Sequence, residues 1–208
     1  MLRLRRWLGS SASRRVVRKR AAQALKLCSE KMHCQRAFLH VLLGEHASAA
    51  KQLTATPGLG WSDEEHPGHV LFAIFCALLG GDASDPLLAT APRTERRMDP
   101  AAFLSADVDE PLLAAPASDE IIKLAAPDRP VNTPARKAML RAMRNAAEKR
   151  VREATKFQRR GVYGHAARLV ALCSALDSAP DIVQWVTGIR TEYRRFPALQ
   201  RELDRLLS

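Results

Sequence analysis

Cys28, His33, Cys34 and His40 are the residues of this chain whose types and proximity come nearest to a metal-binding set. Zinc asks for four ligands converging on tetrahedral vertices, usually from a short Cys-x-x-Cys knuckle joined to a second pair. Here both cysteines and both histidines are spread over a stretch that reads as continuous helix, so no metal is assigned. Glu64-Glu65-His66-x-x-His69 has the types for an acid, a base and a ligand. Pro67 and Gly68 break the helical i, i+4 geometry that a zinc-protease motif requires, and the run reads as a capped loop. There is no Gly-x-Ser-x-Gly, phosphate-loop or dinucleotide glycine pattern, and Gly58-x-Gly60 has no strand before it. With no nucleophile, base and orienter to name, the expectation is a non-catalytic protein without cofactor.

The other chemistry is charge. Net charge is +11 and the sequence pI about 10.2, which favours anionic partners: nucleic acid, acidic proteins or a membrane surface. Arginine-rich and alanine-rich usage is also what a GC-rich genome gives. The cations concentrate in 134–160, where no Gly or Pro follows Pro134 until Gly161, so one helix is expected with Thr133 as N-cap and Pro134 in its first position. Steps of about 100° place Met139, Met143, Ala146, Ala147, Ala154 and Phe157 on one side. Lys137, Arg141, Arg144, Lys149, Arg152, Lys156, Arg159 and Arg160 fall opposite. Arg136 and Arg150 land near the apolar stripe, where their stems are expected to pack while their charged heads reach water.

Elements to position this face follow it directly. Gly161, Tyr163, Ala166, Val170 and Cys173 describe a glycine turn, an aromatic plug and a small residue that lets two helices approach. Gly44, His46, Ala49, Leu53 and Thr56 repeat the spacing, with His46 in the aromatic slot. The two stretches resemble the turn and second helix of a tetratricopeptide-type hairpin, which implies helical-repeat stacking. Their separation is no multiple of the family's period of about 34 residues, so an irregular array is expected, not a regular superhelix. The last fifty residues or so, through Tyr163-x-x-Ala166-Ala167 and Arg194-Arg195-Phe196-Pro197-Ala198-Leu199, are similar to the C-terminal helical region of certain bacterial proteins, some with a SWIM zinc finger upstream. This chain lacks that finger's cysteine and histidine pairs, so the likeness implies a helical packing unit and no zinc.

The fold class expected is all-α, an irregular helical repeat of tetratricopeptide-like hairpins with a Pro-rich acidic connector. A basic arm at 1–12 leads into a helix over 13–29 with Val17, Ala21, Ala24, Leu25 and Cys28 inward, although the Arg- and Ser-rich start also has the composition of an organelle presequence. Helices over 32–43 and 47–56, a capped start at Ser62 and an apolar helix over 70–79 closed by Gly80-Gly81 complete an N-terminal cluster at 13–81. Residues 82–132, with seven prolines and ten acidic against five basic side chains, form the connector, with short turns near 101–105 and 118–126. Residues 133–208 form a four-helix unit, in which Ser178 caps a helix bearing Ile182, Trp185, Val186, Ile189 and Tyr193, and Phe196-Pro197 opens a last one with Leu199, Leu203 and Leu206 inward. The four scattered cysteines fit reduced core positions in a cytoplasmic protein, and the apolar run from Val70 is too short to span a bilayer.

Two functions are expected from these residues. The first is a scaffold for a protein partner, with Tyr163, Trp185, Arg194 and Arg195 at its surface. The second is nucleic-acid binding through the basic helix and the N-terminal arm, with Arg141, Arg144, Arg152 and Arg159 on phosphates. Base-stacking aromatics are not expected on that face. Oligomeric state is left open.

Overall fold

The computed structural model describes residues 14–31, 33–55, 67–81 and 131–208, and all statements of structure concern these. The arm at 1–12, the run 57–66 with the Ser62 cap, and the connector up to residue 130 lie outside them. Among the described residues there are eight α-helices and no strand: α1 (Arg14–Leu27), α2 (His33–Leu43), α3 (His46–Ala55), α4 (Pro67–Leu78), α5 (Thr133–Lys156), α6 (Tyr163–Leu176), α7 (Ile182–Glu192) and α8 (Pro197–Leu207). A 3-10 turn, Arg160–Val162, precedes α6. No helix among them is long and apolar enough to cross a membrane.

Packing follows chain order. α1 lies on α2, α2 on α3, α3 on α5, α5 on α6 and α6 on α8, while α4 touches both α2 and α5 and α7 rests against α6. Small side chains permit these approaches: Ala49, Ala166, Ala147, Ala154 and Ala167 have no exposed surface. The main core runs unbroken from Ala37 to Leu203, and Val17, Ala21, Leu39 and Leu42 form a second cluster between α1 and α2. Two pairs of equivalent positions in the repeated spacings are buried alike, His46 at 4% exposure against Tyr163 at 3% and Ala49 with Ala166 at none, while Thr56 and the Leu53 side chain lie outside what is described.

The bends themselves differ. At Gly44, φ is +78°, and the Glu45 N–H reaches back to the His40 carbonyl at 2.9 Å, so glycine supplies the left-handed turn expected of it. Gly161 does not. In the second bend the left-handed residue is Gln158, at φ 50°, and the Arg159 N–H closes on the Ala154 carbonyl at 2.9 Å. The physical reason is that α5 stops at Lys156, before the glycine is reached, and a 3-10 turn takes up the remaining residues.

Three helix starts also differ from expectation. Asn132, not Thr133, caps α5: its side-chain oxygen accepts the Ala135 N–H at 2.9 Å, two residues ahead of a proline that has no N–H to satisfy. Pro67 opens α4 where it was expected to interrupt, because a proline in the first turn removes a donor the helix does not use. Ser178 precedes a turn in which Asp177 accepts the Ala179 N–H, and α7 begins only at Ile182.

The C-terminus of α4 is closed by Gly80-Gly81. Gly80 has φ +90°, and the Gly81 N–H bonds the Cys76 carbonyl at 2.8 Å. A Cβ on Gly81 would stand 2.6 Å from the Cys76 sulfur and 2.8 Å from that carbonyl oxygen. Gly81→Ala is therefore expected to cost about 1–2 kcal/mol by forcing this turn apart, read as a lowered midpoint in thermal melting followed by circular dichroism.

Candidate functional site

At about 1.5 Å per residue, the 24 residues of α5 make a rod roughly 36 Å long. Its inner side is the core: Met139, Met143, Ala146, Ala147, Val151 and Ala154 are each at most 1% exposed. Three of its arginines also turn inward. Arg136 donates to the Leu79 carbonyl at 3.3 Å and to the Leu176 carbonyl, beyond the end of α4 and at the end of α6. Its head was expected in water, and so was that of Arg150, which is 2% exposed. For Arg136 the correction has a clear cause: helix C-termini leave carbonyls without intrahelical donors, and a planar guanidinium can serve two of them together.

Arg144 is the third. Its guanidinium meets Asp177 at 2.7 Å and Asp181 at 2.9 Å and lies 5.3 Å from the centre of the Trp185 ring. Burial opposes its charge, but the Asp181 hydrogen bond and the Asp177 carboxylate outweigh that and hold its pKa above the ordinary arginine value. The same hydrogen bond pulls the Asp181 carboxyl below the usual range. The Trp185 indole N–H donates to Glu148 at 2.6 Å, completing a clasp between α5 and α7. Arg144 therefore serves the fold and is removed from the set expected to meet phosphates.

What remains outside is a single cationic stripe. Lys137, Arg141, Arg152 and Lys156 are exposed and Lys149 half-exposed, and at 100° per residue they fall within one third of the helix circumference. Arg159 and Arg160 continue the stripe into the turn. No ion pair holds any of these seven among the described residues; burial and Glu192 raise the Tyr193 phenol's pKa, and Arg152 opposes that rise. Phe157, expected on the buried side, is 52% exposed, because the helix ends one residue earlier and the ring leaves the apolar stripe. Lys156 lies 5.1 Å from its centroid and Arg159 5.3 Å. The sequence signal for this was the run Lys156-Phe157-Gln158-Arg159-Arg160, an aromatic isolated among polar residues after the last small core position.

The residues expected at a protein-binding surface divide. Tyr163 is interior, edge-on to Phe196 with centroids 6.4 Å apart, and Trp185 is half-buried in the clasp. Arg194 and Arg195 are exposed in the turn before α8. The histidines of the opening motif are engaged separately, His33 with Gln52 at 3.0 Å and His40 with Glu45 at 2.7 Å. No group of three or more His, Cys, Asp or Glu among the described residues is placed to hold a metal ion. Cys76 and Cys173 are fully buried, and burial, reinforced by the nearby Cys76, pushes the Cys173 thiol far up, which suits packing and not nucleophilic attack. Compared with protein-family models, curated proteins and solved structures, the chain matches none of them.

Proposed function

We propose that this chain is a non-catalytic helical scaffold of irregular, repeat-type stacking whose working surface is the outer side of α5, and that the partner held there is nucleic acid. The observation that carries this reading is the division of α5's cations: Arg150 is buried and Arg136 and Arg144, partly buried, are taken up by carbonyls and carboxylates of the fold, while Lys137, Arg141, Lys149, Arg152 and Lys156 form one outward row. A row of fixed positive charge about as long as the helix suits a partner with regularly spaced negative charge, and a phosphate backbone has that form. Repeat-type stacking gives the row a rigid support.

The test is the salt dependence of binding. Fluorescence anisotropy of the whole chain with mixed-sequence oligonucleotides is expected to weaken steeply between low and moderate salt. Replacing Arg141, Arg152 and Arg159 together by Gln is expected to lower the slope of log K against log salt by about two to three. Binding whose slope those substitutions leave unchanged would end this reading.

A protein partner retains one specific support: Arg194 and Arg195 are exposed past the C-terminal end of α7, and Val183, near its N-terminal end, is 70% exposed. Salt-insensitive retention of a protein, lost with Arg194→Glu and Arg195→Glu and kept in the Arg141, Arg152 and Arg159 variant, would put that partner in place of nucleic acid.

A further inference from the structure

We infer that Phe157, with Lys156, Arg159 and Arg160, forms a stacking site for an unpaired base of a single-stranded nucleic acid at the C-terminal end of the α5 stripe. The inference rests on the nucleic-acid reading of that stripe and adds to it the form of the ligand. Among the described residues the exposed large hydrophobics are Val16, Leu27, Phe157 and Val183, so Phe157 is the sole aromatic of that group. It stands where the cationic row reaches the bend, with an ammonium and a guanidinium each within 5.3 Å of its ring centre.

The surroundings decide the ligand class. An apolar protein side chain gains little from a ring flanked by two cations, whose desolvation it would oppose. An acidic peptide would use the cations but leave the ring idle. A nucleotide uses both: its base offers a π-face to the phenyl ring, and its phosphate takes the cation displaced from that ring. A duplex keeps its base faces stacked internally, so the ligand presenting a free face is a single strand. The turn also holds the ring outward, since Phe157 is the C-cap of α5, Gln158 follows at φ 50°, and the Phe157 N–H remains bonded to the Glu153 carbonyl at 3.2 Å.

The experiment compares a single-stranded oligonucleotide with an abasic strand of equal length and charge. The wild-type chain is expected to bind the base-bearing strand about tenfold more tightly. Phe157→Ala should abolish that preference while leaving the salt slope unchanged, and Phe157→Trp should preserve or strengthen it. Because the ring is exposed, an unchanged thermal midpoint is expected for Phe157→Ala and certifies its fold. If Phe157→Ala binds both strands as the wild type does, with salt-steep binding intact, the stacking site is overturned and the cationic stripe survives. If neither strand binds at low salt, both readings fail together.

Discussion

Phe72→Ala is expected to be the most damaging of the single substitutions considered, lowering stability by about 3–5 kcal/mol and the melting midpoint by on the order of 10 °C. The reason lies in α4. Leu71, Phe72, Ile74, Phe75 and Cys76 have no exposed surface, and their helix contacts both α2 and α5. Removing a phenyl ring forfeits its transfer free energy and leaves a void in the main core, whose close packing cannot fully collapse into it. Urea unfolding followed by circular dichroism measures the loss. A drop below about 1 kcal/mol, which surface substitutions produce, would mean that Phe72 does not lie in that core.

Arg144→Met is expected to follow, with a loss of about 2–4 kcal/mol. The variant keeps the packing of the stem and removes the charge, which leaves the Asp177 side chain, 10% exposed, without its cation. Arg141→Met, three residues earlier in the same basic helix, is expected to change stability by less than about 0.5 kcal/mol. This contrast tests the division between inner and outer arginines without any ligand. The clasp also carries a pH dependence. Arg144 holds the folded-state pKa of Asp181 below its unfolded value, so the stabilisation is complete above the ordinary carboxylate range near about 3.9 and is lost as pH falls through the lower, folded value. The stability difference between wild type and Arg144→Met should therefore be largest near neutrality and narrow in acid. Emission from Trp185, isolated by Trp7→Phe and Trp61→Phe, reports the opening of the clasp directly.

Helices were legible wherever apolar residues recur at three and four positions, since that spacing alone commits one side of a helix to burial. Val17 with Ala21, and Leu199 with Leu203, were read as inward and are at most 1% exposed. The paired small residues Ala49 and Ala166 were legible in the same way, as were Cys76 and Cys173 in the core. Ends of helices were less so. Asn132 displaced Thr133 as a cap, and Gln158 took the left-handed position expected of Gly161, because several neighbouring residues can satisfy the same terminal groups and the packed helix length selects among them.

By itself, then, the sequence determined that the described parts of this chain are helical, the inward small and apolar positions of α1, α5, α6 and α8 in the main, and that α5 is cationic, for these follow from local periodicity and composition. Tertiary structure alone decided which of the cations are available. Arg136 finds carbonyls 57 and 40 residues away, and Arg144 finds a carboxylate 37 residues away, partners that no local pattern connects. The burial of Tyr163 and the exposure of Phe157 have a similar origin: one ring packs against Phe196 across the fold, while the other lies just past a helix end that the packing sets.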